Sequence, residues 1–253
     1  MVGSPNSRVS VIAFFIAGLG VLFSGASAGD ERGNLLCAAP QEPKALQAYH
    51  DCTDGAGCYP KEQAFVLDGA MRYLDYRLEH PNRSGERLAI VVDIDDTALS
   101  NWVYIRETDF VYNRSTIMEW WKKEQDPAIP GTLALVQHAM ERNVAVFLIS
   151  GRPEAIRKYT EENLQVAGYP VASIKATGGI FLKAAPGDPD NPCGFKSLRR
   201  RGIAEKGFTI ILNVGDQYSD LESCDPAGRR LTGTISFRGE RLVKLPNPFY
   251  CIP

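Results

Sequence analysis

The chain has 253 residues, 44% of them hydrophobic and 23% charged, with a formal net charge of −2. That suits one domain of good size with its own core. It excludes a chain of several membrane spans, and the near-balanced charge without a dominant basic run argues against a nucleic-acid polymer as partner. The one short basic run, Leu198-Arg199-Arg200-Arg201, is expected to be a solvated helix face.

Arg8 is the only charge in the first 28 residues, Val9 to Phe23 is almost wholly apolar, and Ala26-Ser27-Ala28 fits a small-x-small cleavage pattern. Residues 1–28 therefore read as a secretory signal peptide cut between Ala28 and Gly29. The apolar run is short for a span, so no stable membrane anchor is expected after cleavage, and the protein is expected to be secreted or periplasmic. Six cysteines follow the cleavage point: Cys37, Cys52, Cys58, Cys193, Cys224 and Cys251. An even number in an exported chain with no Cys-x-x-Cys pair reads as disulfides rather than zinc ligands. Sequence does not choose among the pairings, although Cys52 and Cys58 are placed to close a small loop around Gly55 and Gly57.

Residues 29–60 are rich in Gly, Pro and Cys and read as an irregular lead-in. From Lys61 to Glu79, Ala64, Leu67, Met71, Leu74 and Leu78 recur at spacings of three and four, which predicts a helix that Pro81 ends. Leu88 to Val92 is a short buried strand, running straight into Asp93, Asp95 and Asp96. Three acids crowded at a buried strand end repel one another and require a positive partner. Residues 100–130 carry no strand pattern but hold all three tryptophans, Trp102, Trp120 and Trp121, with Tyr104, Phe110 and Tyr112. These aromatics are expected to divide between the core of a small insert and faces that stack on a flat substrate. A helix over Thr132 to Arg142 leads to a second buried strand, Val144 to Ile149, and Ser150-Gly151-Arg152-Pro153 is expected to open a helix that stops at Gly168. A weak third strand pattern lies within residues 171–183, a helix is expected over Lys196 to Glu205, and Phe208 to Val214 is a strand ending at Gly215-Asp216. The tail "RLVKLPNPFYCIP" has room for a short edge strand only.

Strands alternating with helices give an α/β fold, a parallel sheet with helices on both faces. Ligands of such sheets bind outside the carboxyl ends of the strands. Asp93 and Asp95 stand at one such end, Ser150 at a second, and Asp216 and Asp220 at a third. Aspartates gathered at one edge call for a hard divalent cation, Mg²⁺ above others, and the cation in turn attracts a phosphate. Ser150, at the expected helix start, and Lys196 are the candidate phosphate cradle. Lys196 is preferred to Lys206 because a helix running antiparallel to the strands starts at their carboxyl edge and ends at the other.

In order, "DIDDT", "SGR", a Lys-Ser pair at a helix start and "GDQYSDL" resemble the four motifs of the haloacid dehalogenase superfamily, and with the closing "KLPNPFY" the chain is most similar to its secreted acid phosphatases, bacterial class C enzymes and plant acid phosphatases with vegetative storage proteins. The resemblance covers roughly residues 60–253. It implies a three-layer Rossmann-like domain over 61–253 with a small, mostly helical cap insert at about 100–130. It implies a phosphomonoesterase acting on a small-molecule phosphate ester. Asp93 would be the nucleophile, and Asp95 the general acid and then base. Mg²⁺ would be held by the Asp93 carboxylate, the Asp95 carbonyl and Asp216. Ser150, Gly151 and Lys196 would bind phosphate, and Asp96, Thr97 and Asp220 would support these groups. Arg152 is expected to cap or pair locally, and His50, His80 and His138 to be structural. Three rivals stay open. A phosphotransferase would use the same chemistry. A storage or binding protein would have lost the nucleophile, and Asp93 is present. A signalling receiver domain is disfavoured by Asp95, export and disulfides.

Overall fold

A computed structural model describes residues 42–53, 55, 57–176, 179–183, 187–231 and 241–250. The expected signal peptide, Cys37 and Cys251 lie outside the described residues. Among those described, no helix is long and apolar enough to cross a membrane.

Two helices precede the sheet, α1 (Pro43–Asp51) and α2 (Tyr59–Glu79). The strands are β1 (Arg87–Val92), β2 (Ala145–Pro153), β3 (Ile180–Lys183), β4 (Phe208–Gly215) and β5 (Arg241–Lys244). Between them come α3 (Trp102–Glu107), α4 (Arg114–Trp121), α5 (Pro130–Glu141), α6 (Arg157–Val166), α7 (Val171–Ala176), α8 (Pro192–Glu205) and α9 (Tyr218–Leu221). All strand pairs are parallel, in the order β3-β2-β1-β4-β5.

The uninterrupted apolar run of β1 follows from burial on both faces. Ile90 and Val92 point to the side covered by Leu67 and Leu74 of α2 and Leu135 of α5. Ala89 and Val91 point the other way, with Phe147 and Ile149 of β2, against Phe195 and Ile203 of α8. The sheet is therefore a layer between two helical layers, with its central strands ending together. The Asp93 amide donates to the Val214 carbonyl at 3.0 Å, which fixes the carboxyl ends of β1 and β4 side by side.

The expected cap segment holds α3 and α4, and the Asn113 side chain caps α4 by accepting from the Ser115 and Thr116 amides. Its tryptophans and Tyr104 are buried, Phe110 is half-buried and Tyr112 is exposed, and the buried ones pack with residues far away in sequence. Trp102, Tyr104, Ile117, Trp120 and Trp121 share one cluster with Leu46 of α1, Tyr59 of α2 and Phe249 of the tail. The His50 ring stacks on Trp102 with centroids 3.6 Å apart.

Several expectations are corrected. The lead-in is not irregular throughout, because Pro43–Asp51 forms α1, with proline in its first turn and Leu46 buried. Ser150-Gly151-Arg152-Pro153 does not open a helix: these residues extend β2, whose pairing with β3 shifts between Ser150 and Pro153, and the helix proper starts at Arg157 after a 3₁₀ turn. Pro153 sits in extended conformation, preceding the turn. Residues 171–176 are helical, so β3 occupies only the end of the stretch 171–183. The run Leu198-Arg199-Arg200-Arg201 is a solvated face only in part, with Leu198 and Arg201 exposed. Arg200 is buried and donates to the carbonyls of Asp220 and Glu222, which ties α8 to α9. Two disulfides occur among the described residues. Cys52–Cys58 closes the small loop expected for it, and Cys193–Cys224 joins the start of α8 to the segment after α9.

Candidate active site

Each expected site residue is delivered by a strand end or the element after it. Asp93 follows β1, and the chain then turns tightly, with the Ala98 and Leu99 amides donating to the Ile94 carbonyl at 2.9 and 2.8 Å. Asp96, in this turn, adopts a left-handed backbone with φ 50°, which non-glycine residues rarely do. The strained residue is held by its side chain, which accepts from the Asn101 amide at 2.9 Å and the Tyr250 hydroxyl at 2.6 Å. Asp216 follows β4 at Gly215, where any Cβ would overlap the Asp220 side chain. Glycine there lets the two acids approach. Asp220 also closes α9 as a capping box with Gln217, accepting from the Gln217 amide at 2.8 Å.

The three buried acids Asp93, Asp216 and Asp220 offer carboxylate oxygens that all lie within 4.8 Å of one another. Lys196 reaches into this group, donating to Asp93 at 2.6 Å and to Asp220. It does so as the fifth residue of α8, a full turn inside the helix rather than opening it. Lys206 lies at the other end, where its carbonyl accepts from Arg87 at the start of β1. Burial alone would push the Lys196 ammonium down, but Asp220 and Asp93 hold it above the ordinary lysine value. Burial, with Asp220, Asp216 and Asp95 nearby, pushes the Asp93 carboxyl well above the usual carboxylate range, and Lys196 offsets this only in part. Burial and Asp220 raise Asp216 to about 6, and burial and Asp216 raise Asp96 to about 7.

Three acids facing one ammonium leave two negative charges uncompensated when all are ionised. The donors are all hard oxygens. This set fits a divalent cation such as Mg²⁺, and it adds the Asp220 carboxylate to the ligands expected. Thr97 donates to Asp216 at 3.1 Å, and Asn247 and Gln217 each donate to its other oxygen at 2.6 Å, so this carboxylate is held in one orientation.

Asp95 belongs to a second network. Burial opposes its ionisation, but Arg152, with Asn101, holds its carboxyl below the usual range. Arg152 does not pair locally as expected. It is buried and donates to Asp95 from Nε at 3.0 Å and Nη2 at 2.8 Å, and to Asp126 at 3.1 Å. The Ser150 hydroxyl donates to Asp95 at 3.2 Å and accepts from the Arg152 amide at 3.0 Å, so it faces the protein rather than open space. The neighbouring Gly151 does face the cavity.

A cavity of about 390 Å³ opens above these groups. Its floor is Asp93, Asp95, Lys196, Asp216 and Asp220. Its walls include Tyr104, Phe110, Tyr112, Trp121, Phe249 and Tyr250, and the size suits a small organic ligand. Trp121 alone of the three tryptophans lines it. Trp120 donates to Asp126 at 2.6 Å, and Trp102 packs on His50 and Phe249. Asn101, Arg152, Asn247 and Tyr250 were not legible as site residues. Asn101 sits just beyond the turn that follows Asp93, and the tail residues follow an edge strand. Only the repeated placement of polar side chains after strand ends hinted at any of them.

A family model described as HAD superfamily, subfamily IIIB (Acid phosphatase) matches residues 39–253. The chain is 32% identical over 165 residues to Acid phosphatase 1 of Solanum lycopersicum, covering 64% of this chain and 58% of that one. It is 28% identical over 167 residues to Vegetative storage protein 1 of Arabidopsis thaliana, covering 64% and 55%. The matched segment thus spans under two thirds of either relative. The class C acid phosphatase from Bacillus anthracis superposes with a TM-score of 0.62 at 22% identity, over 83% of this chain and 86% of that one, and shares the fold.

Proposed function

Because the chain belongs to subfamily IIIB, the acid phosphatases, of the haloacid dehalogenase superfamily, we propose that it is an exported, Mg²⁺-dependent acid phosphatase that hydrolyses phosphomonoesters through an aspartyl-phosphate on Asp93. The observation that carries this reading is the buried cluster in which Asp93 meets Lys196 beside Asp216 and Asp220, on the floor of a ligand-sized cavity.

A phosphate ester enters with its phosphoryl group down, toward Lys196 and the Gly151 backbone. Lys196 screens the incoming dianion from the acids and orients it for in-line attack. An Asp93 oxygen attacks phosphorus, and the ester bond breaks with its electron pair on the leaving oxygen, which takes a proton from Asp95. Asp95, now a carboxylate, removes a proton from water as that water attacks the phosphorus, which frees Asp93 and phosphate. Asp93, Asp216, Asp220 and the Asp95 carbonyl would hold Mg²⁺, which would supply charge stabilisation to the phosphoryl oxygens. Arg152 holds the Asp95 carboxyl below the usual range, so the protonated form that donates is a small fraction that grows as pH falls. The domain is taken as residues 61–253 with its cap at about 100–130, and the aromatic walls favour a flat leaving group such as an aryl or nucleoside moiety. Two disulfides support an oxidising compartment.

A second reading, a storage protein with weak residual activity, is favoured by the likeness to vegetative storage proteins. A panel of phosphate esters, assayed with Mg²⁺ or EDTA from pH 4 to 9, separates the two. Turnover that peaks in acid and vanishes with EDTA supports the enzyme. The absence of turnover on every ester supports storage.

A further inference from the structure

Asp95 is fixed from one side by a chain of contacts that begins in the cap. Arg152 grips it in a fork, with Nε on both carboxylate oxygens at 3.0 and 3.2 Å and Nη2 on Oδ1 at 2.8 Å. The same Nη2 also donates to Asp126, which lies between α4 and α5. Asp126 is itself fixed: it accepts from the Trp120 indole at 2.6 Å, and its backbone pairs with the Asn163 side chain of α6 at 3.3 and 2.8 Å. The Arg152 guanidinium lies 4.8 Å over the Trp121 ring. The Trp121 indole donates to Asn101 at 3.1 Å, and the Asn101 amide donates to Asp95 Oδ1 at 3.0 Å. The path Asp95–Arg152–Trp121–Asn101–Asp95 is closed. It contains two cap residues' worth of anchoring and one cavity wall.

This arrangement leaves the two Asp95 oxygens unequal. Oδ1 receives Arg152 twice and Asn101 once, whereas Oδ2 has only longer contacts, at 3.2 Å from Ser150 and from Arg152 Nε. Oδ2 is therefore the less firmly held oxygen and the better placed of the two to carry a proton. A planar fork sets a carboxylate's orientation as well as its charge, which a lysine cannot do.

We propose that Arg152 is a positioning residue that clamps Asp95 to the cap through Asp126 and Trp121, so that Asp95 Oδ2 faces the leaving oxygen. The proposal rests on the phosphatase reading above. In the step concerned, Asp93 bonds to phosphorus, the phosphorus–ester-oxygen bond breaks with its electrons on oxygen, and the proton on Asp95 Oδ2 passes to that oxygen. The products are the alcohol, the aspartyl-phosphate and the Asp95 carboxylate. A misaligned acid matters most for a poor leaving group. A good one departs without the proton.

The test is kcat/KM over a series of phosphate monoesters from 4-nitrophenyl through phenyl to ethyl phosphate. It uses wild type, Asp95→Asn, Arg152→Lys and Asp126→Asn. Arg152→Lys keeps the buried charge, so folding is retained where Arg152→Met would strand two buried acids. Arg152→Lys is expected to lose about 100-fold on ethyl phosphate but under about threefold on 4-nitrophenyl phosphate, the pattern of a displaced general acid. Asp126→Asn, with Arg152 intact, is expected to show the same bias at about tenfold. A uniform loss across the series in both variants, or no change in either, overturns the proposal and leaves Arg152 a structural ion pair. The two levels separate through Asp95→Asn. If it shows the leaving-group bias and Arg152→Lys does not, only the clamp fails. If no ester is turned over by wild type, the phosphatase reading itself fails.

Discussion

The floor of the cavity and its walls are built in opposite ways. The floor is a set of charges whose acids each stand within a few residues of a strand end, and those acids oppose one another unless a cation joins them. The walls are mostly aromatic, with Arg114 and Lys183 among them, and the cluster that backs them draws on α1, α2, the cap helices and the tail at once. The floor thus trades stability for chemistry, while the walls are the stable core of the cap with one face left open. Substitutions in the floor should change rate far more than stability, and most substitutions in the walls should do the reverse.

The largest expected effect breaks the floor alone. Asp93→Asn should lower turnover on the order of 10³-fold or more, since an amide is a poor nucleophile. Its melting temperature should stay level or rise, because one acid leaves a repulsive group while Lys196 keeps Asp220. Near-normal turnover would remove Asp93 from the mechanism. The next effect tests direction within one helix. Lys196→Met should cost roughly 10²-fold in kcat/KM, as expected for loss of a charge preorganised at the phosphoryl group. Lys206→Met, exposed at the opposite edge, should leave kcat/KM unchanged. The reverse ranking would mean that the third motif is misplaced.

Within the walls the tryptophans should separate. Trp121→Ala should lower kcat/KM for a nucleoside phosphate about tenfold relative to glycerol phosphate, whose leaving oxygen is also an alkoxide, the size of one lost stacking contact. Trp102→Ala and Trp120→Ala should leave that ratio alone and lower the melting temperature, since both side chains are buried away from the cavity. A changed ratio at Trp102 or Trp120, or none at Trp121, would erase the distinction drawn here.

The smallest effect is one of linkage. Asp216 and Asp96 titrate near 6 and 7 in the fold, above the ordinary carboxylate value they have unfolded. The folded state therefore binds more protons than the unfolded one between about pH 4 and 7, and metal-free protein should lose stability as pH rises through that window. Mg²⁺ binds the ionised acids, so it should raise the melting temperature more at pH 8 than at pH 5. Thermal melts in EDTA and in Mg²⁺ at three pH values measure this. A metal-free protein that grows more stable with rising pH would count against the uncompensated floor.

The same contrast explains what could be read from the chain. The sheet was legible because β1 and β4 are buried on both faces and so are apolar without interruption, and because each ends in glycine or aspartate. Asp93, Asp95, Asp216 and Asp220 were legible for the same local reason. Lys196 was found, but its depth in α8 was not, since Asn191 and Pro192 start that helix a turn earlier. Ser150-Gly151-Arg152-Pro153 was read as a helix start on the strength of one proline. In the fold, pairing with β3 holds these residues extended. Arg152, Asn101, Asn247 and Tyr250 were out of reach because their partners lie 57, 6, 31 and 154 residues away, and nothing in their own neighbourhoods records those partners. The walls were foreseen as aromatic, yet which ring faces substrate depends on α1 and the tail closing over the cap.

The central claim is that phosphoryl groups pass through Asp93 and that Asp95 then activates the water. It is tested most directly by rapid-quench analysis of Asp95→Asn with 4-nitrophenyl phosphate and Mg²⁺. The good leaving group should let the first step proceed without the acid, while loss of the base stalls the second. The account predicts a burst of 4-nitrophenolate equal to the enzyme present, with phosphate trapped on Asp93 as found by peptide mass spectrometry after borohydride reduction. Steady turnover of Asp95→Asn at the wild-type rate with Asp93 unlabelled, or a label on any other residue, would contradict it.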